Sequence, residues 1–233
     1  MYRKELNERS PLRLFEKSIH GGLGRGNIGV AVGRRGIGKS AFLVGVALDD
    51  LMRGRKVLHV AIDQSVEKVR EYYDEIFADL AQTSRLEDSS REHLEMERNR
   101  NIHTYINHSF SVARLKEGIK FLAEYAHFQP DLLVIDGYDF ESATPEGIQD
   151  LRQVARDLNT ELWMAAVSHR DDARDATGVP VHLSRVESTI SVIVAMAHDG
   201  KAVRLRLLKD HENTEVTETS IALDPTTMLL MKE

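Results

Sequence analysis

At about 150 residues per domain, 233 residues of which 42% are hydrophobic suffice for one ordinary domain with an appendage. A formal net charge of −6 and a pI near 5.9 argue against a sequence-independent polyanion binder, and the lack of cysteine excludes disulfides, thiolate metal sites and cysteine nucleophiles. The opening residues 1–8 carry no apolar run of signal-peptide length and no stretch reaches the ~18 apolar residues of a membrane span, so the expectation is a soluble, cytoplasmic protein.

Hydrophobic periodicity predicts alternating strands and helices. Residues 27–32 (NIGVAV) read as a buried strand, 38–53 as a mostly apolar helix stopped by Gly54, and 57–62 (VLHVAI) as a second strand. Val66, Val69, Tyr72, Tyr73, Ile76, Phe77 and Leu80 then follow the spacing of one helix face, with Ser65 placed to cap it. Charge crowds residues 85–100, which reads as a solvated connector or short exposed helix. A strand at 102–106 and a helix presenting Val112, Leu115, Ile119, Leu122 and Ala126 follow.

Leu132–Asp136 (LLVID) has the two-sided apolarity of a central parallel strand. Thr144, Pro145 and Glu146 form a helix start ahead of Ile148, Leu151, Val154, Ala155 and Leu158. A strand at 162–167, a loop at 169–188 and four strands at 189–197, 202–208, 216–222 and 227–231 complete the pattern. Asp199-Gly200 marks a tight hairpin between the first two of those four. The expected fold is α/β: a mainly parallel twisted sheet flanked by helices, with C-terminal antiparallel hairpin strands, in a single domain over residues 27–233 after a lead-in segment at 1–26.

The strongest chemical signal is Gly33-Arg34-Arg35-Gly36-Ile37-Gly38-Lys39-Ser40, which fits the phosphate-loop pattern G-x-x-x-x-G-K-[ST] without mismatch. Its glycines let the backbone curl so that successive N–H groups face an anion, and the following helix adds its positive end. The pattern assigns Lys39 to the β/γ-phosphates and the Ser40 hydroxyl to Mg²⁺. Chance supplies such a match in a chain this long on the order of 1 time in 100. Arg34 and Arg35 read either as contacts to nucleotide phosphates or a neighbouring subunit, or as solvated side chains at the loop apex. Given that loop, Asp136 at the end of an apolar strand reads as the Walker B aspartate that holds Mg²⁺.

These motifs, together with the glycine-rich 21–26 segment, the strand ending at Asp63-Gln64-Ser65 and the strand ending at Val167-Ser168-His169, resemble the RecA-like P-loop ATPases over roughly residues 10–222. The likeness is greatest to the KaiC and DnaB-helicase branches. It implies ATP and Mg²⁺ as ligands and a ring or filament of identical subunits. It also implies a water-polarising acid at Asp63, where the family has a glutamate; an aspartate is one methylene shorter, so slow hydrolysis, or none without a partner, is expected, and the alternative reading of Asp63 is a helix-capping or loop acid just before Ser65. His169 stands where the helicase branch has a γ-phosphate-sensing glutamine, or is a loop histidine without a role. Lys209-Asp210-His211 stands where the family's Lys-x-Arg pair reaches a neighbour's γ-phosphate, keeping the lysine as a finger in trans or merely as a solvated strand-end residue.

His169, Asp171, Asp172 and Asp175 read as a charged loop rather than a metal site, and His93, His103, His108 and His127 as surface residues. The family's nucleic-acid loops correspond to 137–147, which is acidic with no basic residue, and 169–187, which is charge-balanced and lacks aromatics; nucleic acid is therefore not the favoured partner. The expected function is a slow Mg²⁺-dependent ATPase working as an oligomer. The alternatives are a nucleotide-gated scaffold for an unknown protein partner and a DNA-handling motor.

Overall fold

Pro11 divides the start of the chain into two short helices, α1 (Arg3–Arg9) and α2 (Leu12–Ser18); the ring nitrogen has no N–H to lose at a helix start. In this computed structural model, which describes every residue except 107, 170, 171, 176, 214, 215, 217, 218 and 233, α2 is no loose appendage. Leu12, Phe15, Ile19 and Leu23 are buried, and Phe15 meets Phe42 edge-on at 5.9 Å and Trp163 at the same distance. The lead-in segment thus shares the core of the sheet.

The alternation follows in chain order: β1 (Ile28–Gly33), α3 (Lys39–Met52), β2 (Val57–Ile62), α4 (Val66–Ser84), α5 (Ser89–Asn99), β3 (Arg100–Tyr105), α6 (Val112–Ala126), β4 (Leu132–Asp136), α7 (Pro145–Asp157) and β5 (Glu161–Val167). The expected caps form: the Ser65 and Thr144 hydroxyls accept from the N–H groups of Lys68 (3.2 Å) and Gly147 (3.1 Å). The charged 85–100 stretch is largely the helix α5, whose Met96 is buried against the core. Ala126 is exposed instead of facing inward, because Phe128 beyond the helix end takes the core position.

The loop after β5 contains one turn of helix, α8 (Val181–Ser184). β6 (Val192–His198) starts three residues later than expected, since residues 187–189 wind into a 3₁₀ turn. β7 (Val203–Asp210), β8 (Ile221–Leu223) and β9 (Leu230–Lys232) complete the sheet; the expected strand at 216–222 survives in β8 alone among the described residues, with 217 and 218 lying outside them.

Among the described residues, all nine strands form one sheet in the order β3-β2-β4-β5-β1-β6-β7-β8-β9, parallel from β3 to β6 and antiparallel from β6 to β9. The chain leaves β1 toward β2 and β3 through α3, α4 and α5, which pack on one face. It returns through α6 and α7, which pack on the other. Right-handed crossovers require this division, because reversing the direction of travel reverses the covered face. In such a sheet ligands bind outside the carboxyl ends of strands where the connections diverge to opposite faces, here around β1, β5 and β4. Among the described residues no helix is long and apolar enough to cross a membrane.

Candidate functional site

The connection from β1 to α3 turns sharply at the carboxyl edge of the sheet. Gly36 (φ +77°) and Gly38 (φ +100°) occupy left-handed conformations that side-chained residues rarely adopt, and a Cβ at Gly38 would also collide with Leu223. Gly38 is the N-cap of α3, a 14-residue helix with no side-chain cap and no acid in its first turn. Its positive end is left without a side-chain counterpart.

Lys39 opens that helix and is only 8% exposed. Its Nζ donates to the carbonyls of Gly33 (2.9 Å) and Arg34 (2.7 Å), so the lysine straps the loop to itself. Burial pushes its pKa down, the Asp136 carboxylate works the other way, and Arg35 adds to the depression. Ser40 is half-buried beside it, whereas Arg34 and Arg35 are exposed at the apex. The Gly33 carbonyl also accepts from the Ser168 N–H at 3.0 Å, which ties the ends of β1 and β5 together.

Asp136 ends β4 at 7% exposure. Ala61 is its partner on β2, Ala165 is level with it on β5 by the Ile135–Met164 pairing, and Ala31 pairs with Ala165 on β1. Three alanines therefore flank one carboxylate across four strands, on the face covered by α3. The small methyl groups at these positions put little bulk beside the carboxylate, which opposes the burial-driven fall of the Lys39 pKa from the first turn of α3. Positive helix end, buried amine, hydroxyl and carboxylate together suit a polyanion accompanied by a hard cation: Ser40 and Asp136 offer the oxygen ligands such a cation takes, and Lys39 and the loop amides suit the anion.

Asp63 lies two residues past Ala61, exposed, with φ +57° and its N–H donating to the Tyr105 carbonyl at 2.8 Å. It shares the same edge of the sheet as Asp136. His169 is exposed there too, its imidazole paired with Glu141 of the β4–α7 loop at 3.1 Å and its N–H donating to Asp172 at 2.6 Å. Asp171, grouped with them in the sequence, lies outside the described residues.

Lys209 is not brought to this group. It stands opposite Ile193, three residues before the Met196 that flanks Gly33, or about 10 Å back along the strand. Its Nζ donates to the Glu187 carbonyl at 2.7 Å, and burial lowers its pKa against the pull of Glu187 and Glu212. The neighbouring residues are structural: buried Asp210 pairs with His211 at 2.7 Å and with His20, and His211 reaches the Leu23 carbonyl at 3.0 Å, pinning the lead-in segment to β7.

Sequence reasoning passed over His59, the one polar residue inside a strand buried on both faces. The imidazole is fully buried on the α3 face and bonds the Tyr73 hydroxyl at 2.9 Å. Burial pushes its pKa down to about 4, Asp136 opposing and Arg100 assisting. A lone histidine in an otherwise apolar strand was the available signal. Away from the crevice, Asp74, His93 and Glu97 bring three potential ligand atoms within 4.8 Å of one another. Glu97 is already paired with Arg70 and Arg100, so a cation there would displace guanidinium groups. No family model matches this chain, and no curated protein matches it.

Proposed function

We propose that the protein binds ATP with Mg²⁺ at the carboxyl edge of its sheet, as a RecA-like P-loop ATPase of low turnover. One observation carries this reading: the uncapped positive end of α3, buried Lys39 and the strand-end carboxylate of Asp136 meet at the carboxyl edge of the sheet, where Asp136 stands in register with Ala31, Ala61 and Ala165. Lys39 and the loop amides bind the phosphate tail, and Ser40 and Asp136 hold the cation. Mg²⁺ when bound neutralises charge on the β- and γ-phosphoryl oxygens. Asp63 orients water from the end of β2.

Low turnover is supported by the groups that stand apart. His169 is engaged by Glu141, and Lys209 is about 10 Å back along the sheet, so neither of these two acts as a finger on the γ-phosphoryl group within one chain. Lys209 serves only a neighbour's nucleotide, which makes turnover depend on self-assembly. The same distances favour, as a second reading, a nucleotide-gated scaffold that binds ATP and hardly hydrolyses it.

Titration calorimetry with ATP in Mg²⁺ and in EDTA tests the binding. Wild type is expected to bind ATP more tightly with Mg²⁺, Lys39→Ala to lose affinity at least tenfold, and Asp136→Asn to lose the Mg²⁺ effect. Absence of heat at millimolar nucleotide overturns the proposal. Single-turnover phosphate release then separates ATPase from scaffold.

A further inference from the structure

Where α5 folds back along α4, away from the crevice, the seam between the two helices is closed by polar side chains. Arg70 of α4 meets Glu97 of α5 at 3.2 Å, and Asp74 Oδ1 lies 2.9 Å from His93 Nε2. Phe77, the next residue on that face of α4, sets its ring against the His93 imidazole at 5.3 Å. His93 and Glu97 stand four apart on one helix, as do Arg70 and Asp74 on the other, so each pair shares a face. α5 has little apolar anchorage of its own: of its 11 residues only Met96 is buried.

The spacing of three of these groups suits a metal ion. Asp74, His93 and Glu97 are half-buried, and each brings one ligand atom within 4.8 Å of the other two. A tetrahedral ion bound at about 2.0–2.2 Å needs its ligands about 3.4 Å apart, which small side-chain rotations supply here. Two neighbours orient the ligands. The Arg100 guanidinium, on a side chain only 2% exposed and 4.4 Å over the Tyr73 ring, pairs with Glu97 Oε1, and the Phe77 ring backs His93. Partners of this kind fix the direction in which a ligand points.

A cation competes with guanidinium groups for Glu97, and the two are not equally held. Arg100 is anchored in the core on Oε1. Arg70, on Oε2, is more than half exposed, and an exposed ion pair is worth little, so Arg70 yields and Oε2 becomes the ligand. One imidazole nitrogen with two carboxylate oxygens favours a divalent transition ion over Mg²⁺ or Ca²⁺, which take oxygen ligands.

We propose that Asp74, His93 and Glu97 form a binding site for a divalent transition-metal ion of the Zn²⁺ type, which staples α5 to α4 and leaves its remaining coordination to water. The site stands apart from the nucleotide reading and survives its failure.

Zn²⁺ titrated into full-length protein cleared of metal by chelation tests the proposal, with heat and melting temperature as the two readouts. Wild type is expected to bind one Zn²⁺ on α4 and α5 and to melt higher with it, an effect that equimolar Mg²⁺ does not reproduce. His93→Gln and Asp74→Asn, at partly exposed positions, are expected to fold, to lose Zn²⁺ affinity at least tenfold and to lose the rise in melting temperature. Arg70→Ala removes the competitor and is expected to bind Zn²⁺ severalfold more tightly; a ladder of ion pairs alone would lose stability there and gain no affinity. Asp136→Asn tells the two ends of the molecule apart, because Zn²⁺ binding is retained there if the ion sits on α4 and α5 and lost if the crevice takes it up. No heat with wild type, binding undiminished in His93→Gln, no gain in Arg70→Ala, or loss of binding in Asp136→Asn each overturns the proposal, whether or not the protein binds ATP.

Discussion

At the residue scale, the candidate site combines groups already satisfied with groups held in reserve. Lys39 gives its protons to two carbonyls of its own loop, so phosphate oxygens must replace those bonds, and the net gain is a difference between similar interactions. Asp63 sits in a left-handed conformation that aspartate and asparagine tolerate better than other side-chained residues. That makes Asp63→Asn a clean variant: it keeps the backbone and removes the charge, whereas Asp63→Ala would add roughly 1–2 kcal/mol of backbone strain. If Asp63 orients water, Asp63→Asn lowers single-turnover phosphate release on the order of 10²-fold with ATP affinity and melting temperature unchanged. Undiminished release would remove Asp63 from the chemistry and leave it as the turn residue ahead of the Ser65 cap.

At the scale of elements, α2 is the informative case. Phe15 fills the angle between Phe42 of α3 and Trp163 of β5 and is 2% exposed. Truncation to alanine would leave a cavity at the centre of an aromatic cluster, so Phe15→Ala should cost roughly 3–5 kcal/mol in denaturant unfolding. A loss no larger than that from Glu8→Ala, at an exposed position of α1, would show that α2 is dispensable to the core. This role was hidden in the sequence because Pro11 and interspersed charges leave each helix only seven residues, too few for periodicity to register. β2 and β4, by contrast, run over the residues expected, since both are apolar on two faces and bounded by Gly54, Ser65 and Pro130. The loop from Gly33 to Ser40 and the strand-end Asp136 were legible for a similar reason: their signals are local. His59 and the alanine row were not, because they become neighbours of Asp136 only through the register of strands far apart in sequence.

At the scale of the whole molecule, the two ends of the sheet carry different electrostatics. At the end opposite the crevice, Glu16, Asp49, Asp50 and Glu161 gather beneath α2 with Arg13, Arg53 and Arg55. Burial pushes Glu16 up to about 6 and Asp50 up to about 7, the arginines opposing, and it raises Asp49 and Glu161 as well. A carboxyl whose folded pKa is raised holds a proton that the unfolded chain has released. Its contribution is therefore complete below the unfolded value near 4 and is lost as pH rises through the folded value. Two other acids act in the opposite sense. Burial of Asp175 is outweighed by hydrogen bonds from Thr177, Ser184 and Val179, and backbone N–H groups of Ala202 and Lys201 hold Asp199, so both fall to about 2 and lose their contribution only as pH drops below about 4. Buried His59 works against this trend, losing its contribution as pH falls below about 6.5, but four raised carboxyls act the other way, so the urea midpoint is expected to be higher at about pH 5 than at about pH 8. Asp50→Asn, which is neutral at every pH, should flatten that difference without touching the crevice at the far end of α3. A midpoint that rises between those two pH values, or a slope unchanged by Asp50→Asn, would mean that the arginines hold these carboxylates ionised and that burial does not govern this end of the molecule.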